Sequence, residues 1–148
     1  MNTILKFMSA DHDKLDGLFE EFKKQQSNDL AQAKSFFHEF KIKIQRHIVW
    51  EEDVLFPIFE EKTGMHGGGP TAVMRMEHRQ IKDFLEEIHT KVLAGELEGI
   101  DKAENGLLEV LRSHNQKEET ILYPSIDDLL TDQEREKAFS DMNDIPPE

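Results

Sequence analysis

The chain has 148 residues, of which 37% are hydrophobic and 33% charged, with a net charge of −13 and no cysteine. That length suits one domain around one core. The charge repels a phosphate backbone or an anionic membrane surface, which speaks against nucleic-acid and membrane partners, and the lack of cysteine excludes disulfides, thiolate zinc sites and cysteine-held iron–sulfur clusters.

The amino-terminal residues MNTILKFMSADHD have spaced apolar positions followed at once by acids, so no signal peptide is expected. No stretch approaches the roughly 20 apolar residues of a membrane span, and a cytoplasmic location is the default expectation. Apolar residues recur at helical spacing in four stripes. Leu5, Met8, Leu15, Phe19 and Phe22 mark the first; Phe37, Phe40, Ile44, Leu55 and Ile58 the second. Met74, Ile81, Leu85, Ile88 and Val92 mark the third; Leu107, Leu111, Ile121 and Leu122 the fourth. The breaks are Gln25–Asp29, Thr63–Pro70 and the segment flanked by Gly95 and Gly99. The spacing predicts helices over 3–25, 30–62, 70–94 and 100–130, a short fifth helix over Asp132–Phe139 and a frayed tail, NDIPPE. Pro70 suits a first helical turn, and Pro57 and Pro124 are expected to bend the second and fourth helices. Gly67–Gly69 lacks the strand and the Lys-Ser/Thr of a phosphate loop and reads as an inter-helix connection.

The chain repeats itself. HIVWEEDVLFP from His47 and HNQKEETILYP from His114 both read His-x-x-x-Glu-Glu-x-x-Leu-(Phe/Tyr)-Pro, at an offset of 67. The preceding segments match at an offset of 66, His12 with His78 and Leu15 with Ile81. The fold class is therefore all-α: an antiparallel up-down-up-down four-helix bundle over 1–130, made of two pseudo-symmetric αα-hairpins, then a short C-terminal helix and tail over 131–148.

Four of the seven histidines fall inside the apolar stripes. His12 lies between Met8 and Leu15, His47 between Ile44 and Glu51, His78 between Met74 and Ile81, and His114 between Leu111 and Glu118. Residues four apart share a helix face, so Glu51 follows His47, and Glu118 follows His114, into the core. A buried carboxylate without a partner costs several kcal/mol or titrates away, and no Lys or Arg occupies the stripes at that level. At ~1.5 Å rise per residue the antiparallel helices bring all six groups to one layer. His12, His47, Glu51, His78, His114 and Glu118 are thus the candidate metal ligands, a nitrogen and oxygen set suited to first-row transition metals over calcium or magnesium. His38, His66 and His89 read as surface or boundary residues. Glu52 and Glu119 have two open readings: partners that orient imidazole N–H groups, or solvated charges. Trp50 and Met74 read as packing residues.

This pattern resembles the hemerythrin-like family, the HHE cation-binding domain, over roughly Ile4 to Leu130, carried by the duplicated HxxxEExxL(F/Y)P and by the EH that opens the third helix. The resemblance implies a non-haem centre of two iron ions bridged by two carboxylates and an oxo or hydroxo group. His12, His47, His78 and His114 would be terminal ligands, and Glu51 and Glu118 the bridges. The oxygen-carrying members have a fifth histidine where this chain has Met74. Their helix-4 bridge is an Asp aligned with Glu119, so Glu119 stands as the alternative to Glu118. The four-His, two-Glu set looks more like that of the iron-centre repair proteins, whose additional cysteine-containing segment has no counterpart here. The function implied is binding or sensing of O2 or NO. Rivals are a redox enzyme (a peroxidase or nitric oxide reductase needing an external electron donor), an iron storage, donation or sensing protein, and a structural zinc or mixed-metal bundle.

Overall fold

The computed structural model describes residues 2–146. Seven α-helices follow in order, interrupted twice by wider π-helical turns. They are α1 (Ile4–Gln25), α2 (Leu30–Val49), a first π segment (Trp50–Leu55), α3 (Phe56–Thr63), α4 (Gly69–Ala94), α5 (Ile100–Lys117), a second π segment (Glu118–Leu122), α6 (Tyr123–Leu129) and α7 (Asp132–Asn143). The α2–π–α3 and α5–π–α6 rods are the second and fourth long helices of the bundle. Packing pairs α1 with α2 and α4 with α5, the two expected hairpins. No helix among the described residues is long and apolar enough to cross a membrane.

The helix ends follow local chemistry. Thr3 and Asp29 accept from the backbone of Lys6 and Gln32, capping α1 and α2. Gly64 and Gly95, at φ 76° and 68°, end α3 and α4 in the left-handed conformation that glycine adopts without strain. Thr131 and Glu134 form a reciprocal capping box on α7.

The second and fourth predicted helices are not continuous α-helices. Pro57 and Pro124 carry no N–H, and a regular helix would leave a carbonyl four residues back unserved and crowded by the ring. The backbone widens just ahead of each proline: Phe56 N–H bonds to Glu51 C=O and Tyr123 N–H to Glu118 C=O, five residues back. In each case the carbonyl that accepts this bond belongs to a candidate ligand. The fifth helix also runs beyond the expected Phe139, to Asn143. Ile145, inside the expected frayed tail, packs against the core; Pro147 and Glu148 of that tail lie outside the described residues.

Two apolar cores sandwich a polar layer. One holds Leu15, Phe19, Phe22, Phe37, Phe40, Ile44, Leu85 and Leu107. The other holds Ile4, Met8, Trp50, Leu55, Phe56, Met74, Tyr123 and Ile126, and α7 closes it with Ala138 and Met142. Asp127 ties this end together: its carboxylate accepts from Ile4 N and Leu5 N at 2.9 and 3.0 Å, filling two of the free donors of α1, and meets Arg135 Nε of α7 at 3.0 Å. Trp50 Nε1 donates to Met142 C=O at 2.9 Å, a second tether for α7.

Candidate metal centre

Between the two cores, His12 comes from α1, His47 from α2, His78 from α4 and His114 from α5, and Glu51 and Glu118 come from the π segments. All six are buried, the two glutamates fully. Glu51, His78, His114 and Glu118 each offer a ligand atom within 4.8 Å of the others, and so do His12, His47 and Glu118. The six residues proposed from spacing therefore converge, and Glu118 belongs to both groups.

Each imidazole turns Nε2 inward and Nδ1 outward. His78 Nε2 is 2.9 Å from Glu51 Oε1; His12 Nε2 and His114 Nε2 are each 3.2 Å from Glu118 oxygens; His47 Nε2 is 3.9 Å from Glu51 Oε1. Every Nδ1 meets a second carboxylate: His12 with Glu119 at 2.7 Å, His47 with Asp11 at 2.7 Å, His78 with Glu52 at 2.6 Å, and His114 with Glu77 at 2.9 Å. An Nδ1–H donated to a carboxylate fixes the tautomer and leaves the Nε2 lone pair for a cation. This settles Glu52 and Glu119 as imidazole-orienting groups. It also sets Glu118, fully buried and facing inward, apart from Glu119, which faces the outer nitrogen of His12.

Three residues escaped the sequence reading. Asp11 and Glu77 each precede a ligand histidine at the repeat offset of 66, and that shared acid was the available signal. The third, Tyr123, is fully buried; its hydroxyl donates to Glu51 Oε2 at 2.7 Å, with Glu118 Oε1 at 2.9 Å and His12 and His47 Nε2 at 3.4 and 3.3 Å. Its repeat partner is Phe56, which stacks on the His78 ring with centroids 5.5 Å apart and planes 13° off parallel. The two halves of the layer are therefore unequal: a phenol stands beside His12 and His47, and a plain ring beside His78. The remaining histidines lie elsewhere, His38 and His66 exposed and His89 against Phe37.

The electrostatics ask for positive charge. Burial works against a charged His12, but Glu118 and then Glu119 outweigh it and push its pKa up to about 9. Burial likewise opposes the His78 cation, and Glu51 and Glu52 raise it to about 9. Burial and the Glu118 charge raise Glu51 above the usual carboxylate range. Burial and the two glutamates hold Tyr123 well above its ordinary value, so it remains a proton donor. Glu118 Oε2 is buried and, among the described residues, makes no well-directed hydrogen bond, its neighbour being His114 Nε2 at 3.2 Å; it is an acceptor in want of a cation. Four imidazole nitrogens and two inward carboxylates fit transition-metal ions, with Nε2 and carboxylate oxygens as donors. Replacing Glu77 with Gln should weaken metal binding roughly 10–100-fold, since an amide orients His114 without the charge; equilibrium titration with a competing chelator reads this, and an unchanged affinity would refute a contribution from the Glu77 charge.

A cavity of about 20 Å³ adjoins the layer, lined by the four histidines and Glu51, with Leu15, Ile44, Ile48, Ile81 and Leu111 as its apolar wall and Asp16 and Asn115 on one side. That volume holds about one water-sized molecule.

The model of the hemerythrin HHE cation binding domain family matches residues 3–126. An uncharacterised hemerythrin-like protein of Schizosaccharomyces pombe is 28% identical over 134 residues, 90% of this chain and 64% of that protein. A DNA nickase of a Nostoc species is 28% identical over 127 residues, 86% of this chain and 34% of that protein. The iron-sulfur cluster repair protein YtfE of Cronobacter sakazakii is 39% identical over 62 residues, 41% of this chain and 27% of that protein. The chain thus spans less than two thirds of the length of each of these relatives. No solved structure matches it significantly. With this match over most of its length, four histidines and two glutamates in one buried layer, the chain belongs to the hemerythrin HHE cation-binding domain family.

Proposed function

We propose that the chain is a non-haem di-iron protein that binds or senses a diatomic ligand, O2 or NO, with His12, His47, Glu51, His78, His114 and Glu118 as its ligands. The observation that carries this reading is the small apolar-walled cavity against the inward faces of the ligand set. Met74 supports it. This thioether is buried in the adjoining core and is a poor ligand for ferric iron, so the histidines number two per metal position and coordination positions stay open. A bound pair of ferrous ions would supply the electrons and the exchangeable positions such a ligand needs.

The protein's own groups do the rest. Leu15, Ile44, Ile48, Ile81 and Leu111 give the cavity a largely apolar wall. Glu52, Glu77, Asp11 and Glu119 hold the imidazoles on aim. Tyr123 Oη keeps a proton between Glu51 and Glu118, where it steadies both carboxylates as the charge between them changes. Anaerobic reduced iron-loaded protein mixed with O2 or NO in a stopped-flow instrument should change its visible spectrum within the mixing experiment; an unchanged spectrum with both gases refutes the reading.

A second reading is a redox enzyme of the iron-centre repair type, taking electrons from an external donor. The similarity to the iron-sulfur cluster repair protein favours it, over 41% of this chain. Sustained consumption of NO or peroxide with added reductant distinguishes turnover from binding. Nucleic acid is not a proposed partner: although one relative is a DNA nickase, the net charge of −13 opposes a phosphate backbone.

A further inference from the structure

The internal repeat allows each side of the bundle to be compared with its mirror. On the α2–α4 side, Lys41 Nζ meets Glu86 Oε1 at 2.8 Å and draws the two helices together. The repeat places Leu108 and Glu20 at the equivalent positions of α5 and α1, and these cannot form an ion pair. There the seam opens instead into a groove of about 580 Å³ lined by both residues.

The groove leads to the metal layer. Four residues, His12, Asp16, Leu111 and Asn115, line both the outer groove and the inner cavity of about 20 Å³, so they form the neck between them. Two of the four break the symmetry. Half-buried Asn115 stands where the other half has Ile48, which is buried, and Asp16 stands where it has Lys82, both of them exposed. The α2–α4 side therefore has a sealing aliphatic and a cation at this level, and the groove side an amide and a carboxylate. Among the described residues Asp16 makes no ion pair and no side-chain hydrogen bond.

We propose that the α1–α5 groove is the entrance by which divalent metal ions reach the centre, with the Asp16 carboxylate, beside Asn115, as their passing ligand at the neck. The proposal rests on the metal-centre reading above. A neutral diatomic needs no carboxylate at a neck; a cation shedding water does. Asp13, Glu20 and Glu119 outnumber Lys23 and Arg112 along the groove, and such focusing raises the local cation concentration.

The test is stopped-flow mixing of metal-free protein with Co2+, read by the visible bands of the bound ion. Asp16→Asn should slow the bound-cobalt phase at least about tenfold, with final cobalt content unchanged. The double variant Asp16→Lys, Asn115→Ile, which installs the residues the mirrored side already accommodates, should slow it further. Asp83→Asn removes the same charge from the exposed face of α4 and should load at the parent rate. Equal rates for Asp16→Asn and Asp83→Asn overturn the entrance. A lower final cobalt content in Asp16→Asn makes Asp16 part of the bound site and overturns its transit role. Failure of the parent chain to take up cobalt overturns the metal-centre reading instead.

Discussion

Replacing Glu118 with Gln should empty both metal positions at once, whereas His47→Ala or His114→Ala should empty mainly one. Glu118 is the residue shared by the two ligand groups, with one oxygen 3.2 Å from His12 Nε2 and the other 3.2 Å from His114 Nε2. Glutamine keeps the volume and the packing but offers no anion, and its NH2 donors face incoming metal with the wrong polarity. The bundle itself should persist, because the apolar cores on either side are untouched. Metal analysis after iron loading reads the content, and circular dichroism reads the helices. Thermal unfolding adds a second measure. Metal at a thousandfold excess over its dissociation constant stabilises by about 4 kcal/mol, and the Gln variant should lose that increment. Retention of both ions in Glu118→Gln would remove the residue from the bridging role.

The metal-free protein should be most stable at or below about pH 6.5 on its alkaline side and lose stability as the pH rises through about 9. His12 and His78 are raised from an ordinary 6.5 to about 9 by the glutamates around them. Their protonated forms therefore stabilise the fold, fully so below the unfolded value, and that contribution fades as each proton leaves. A shift of this size corresponds to about 3 kcal/mol per imidazole as an order of magnitude. Metal takes the place of those protons at Nε2, so the loaded protein should show a flatter profile over the same range. Loading at pH 7 should also release protons from His12 and His78. Urea unfolding across pH with and without chelator tests the first point, and calorimetry in buffers of different ionisation enthalpy the second. A flat metal-free profile would contradict the glutamate-held imidazolium picture.

The bundle and its layer were legible in the sequence because periodicity and repetition both survive translation into helices. His47 with Glu51, and His114 with Glu118, are four apart, and that step returns to the same face whatever the tertiary context. Tyr123 was not legible for the same reason. It lies five residues after Glu118, which in a regular α-helix turns it ~140° away. The wider π turn, closed by the hydrogen bond from Tyr123 N–H to Glu118 C=O five residues back, brings the hydroxyl round to the carboxylate. The prolines signalled a disturbance, but a bend and a wider turn look alike in sequence, and only the carbonyls of Glu51 and Glu118 decide between them. Asp11 and Glu77 sit one step off the apolar stripe, where an acid is ordinarily solvated; their partners, His47 and His114, lie on other helices.

The four outer carboxylates have a consequence apart from tuning nitrogen atoms. Asp11 reaches from the first long helix to the second, Glu52 from the second to the third, Glu77 from the third to the fourth, and Glu119 from the fourth back to the first. The bonds close into a loop around the molecule at a single height. Sliding any one rod by a turn, about 5.4 Å, would break two of them together. The chain thus carries its own alignment jig, built wholly from protein groups.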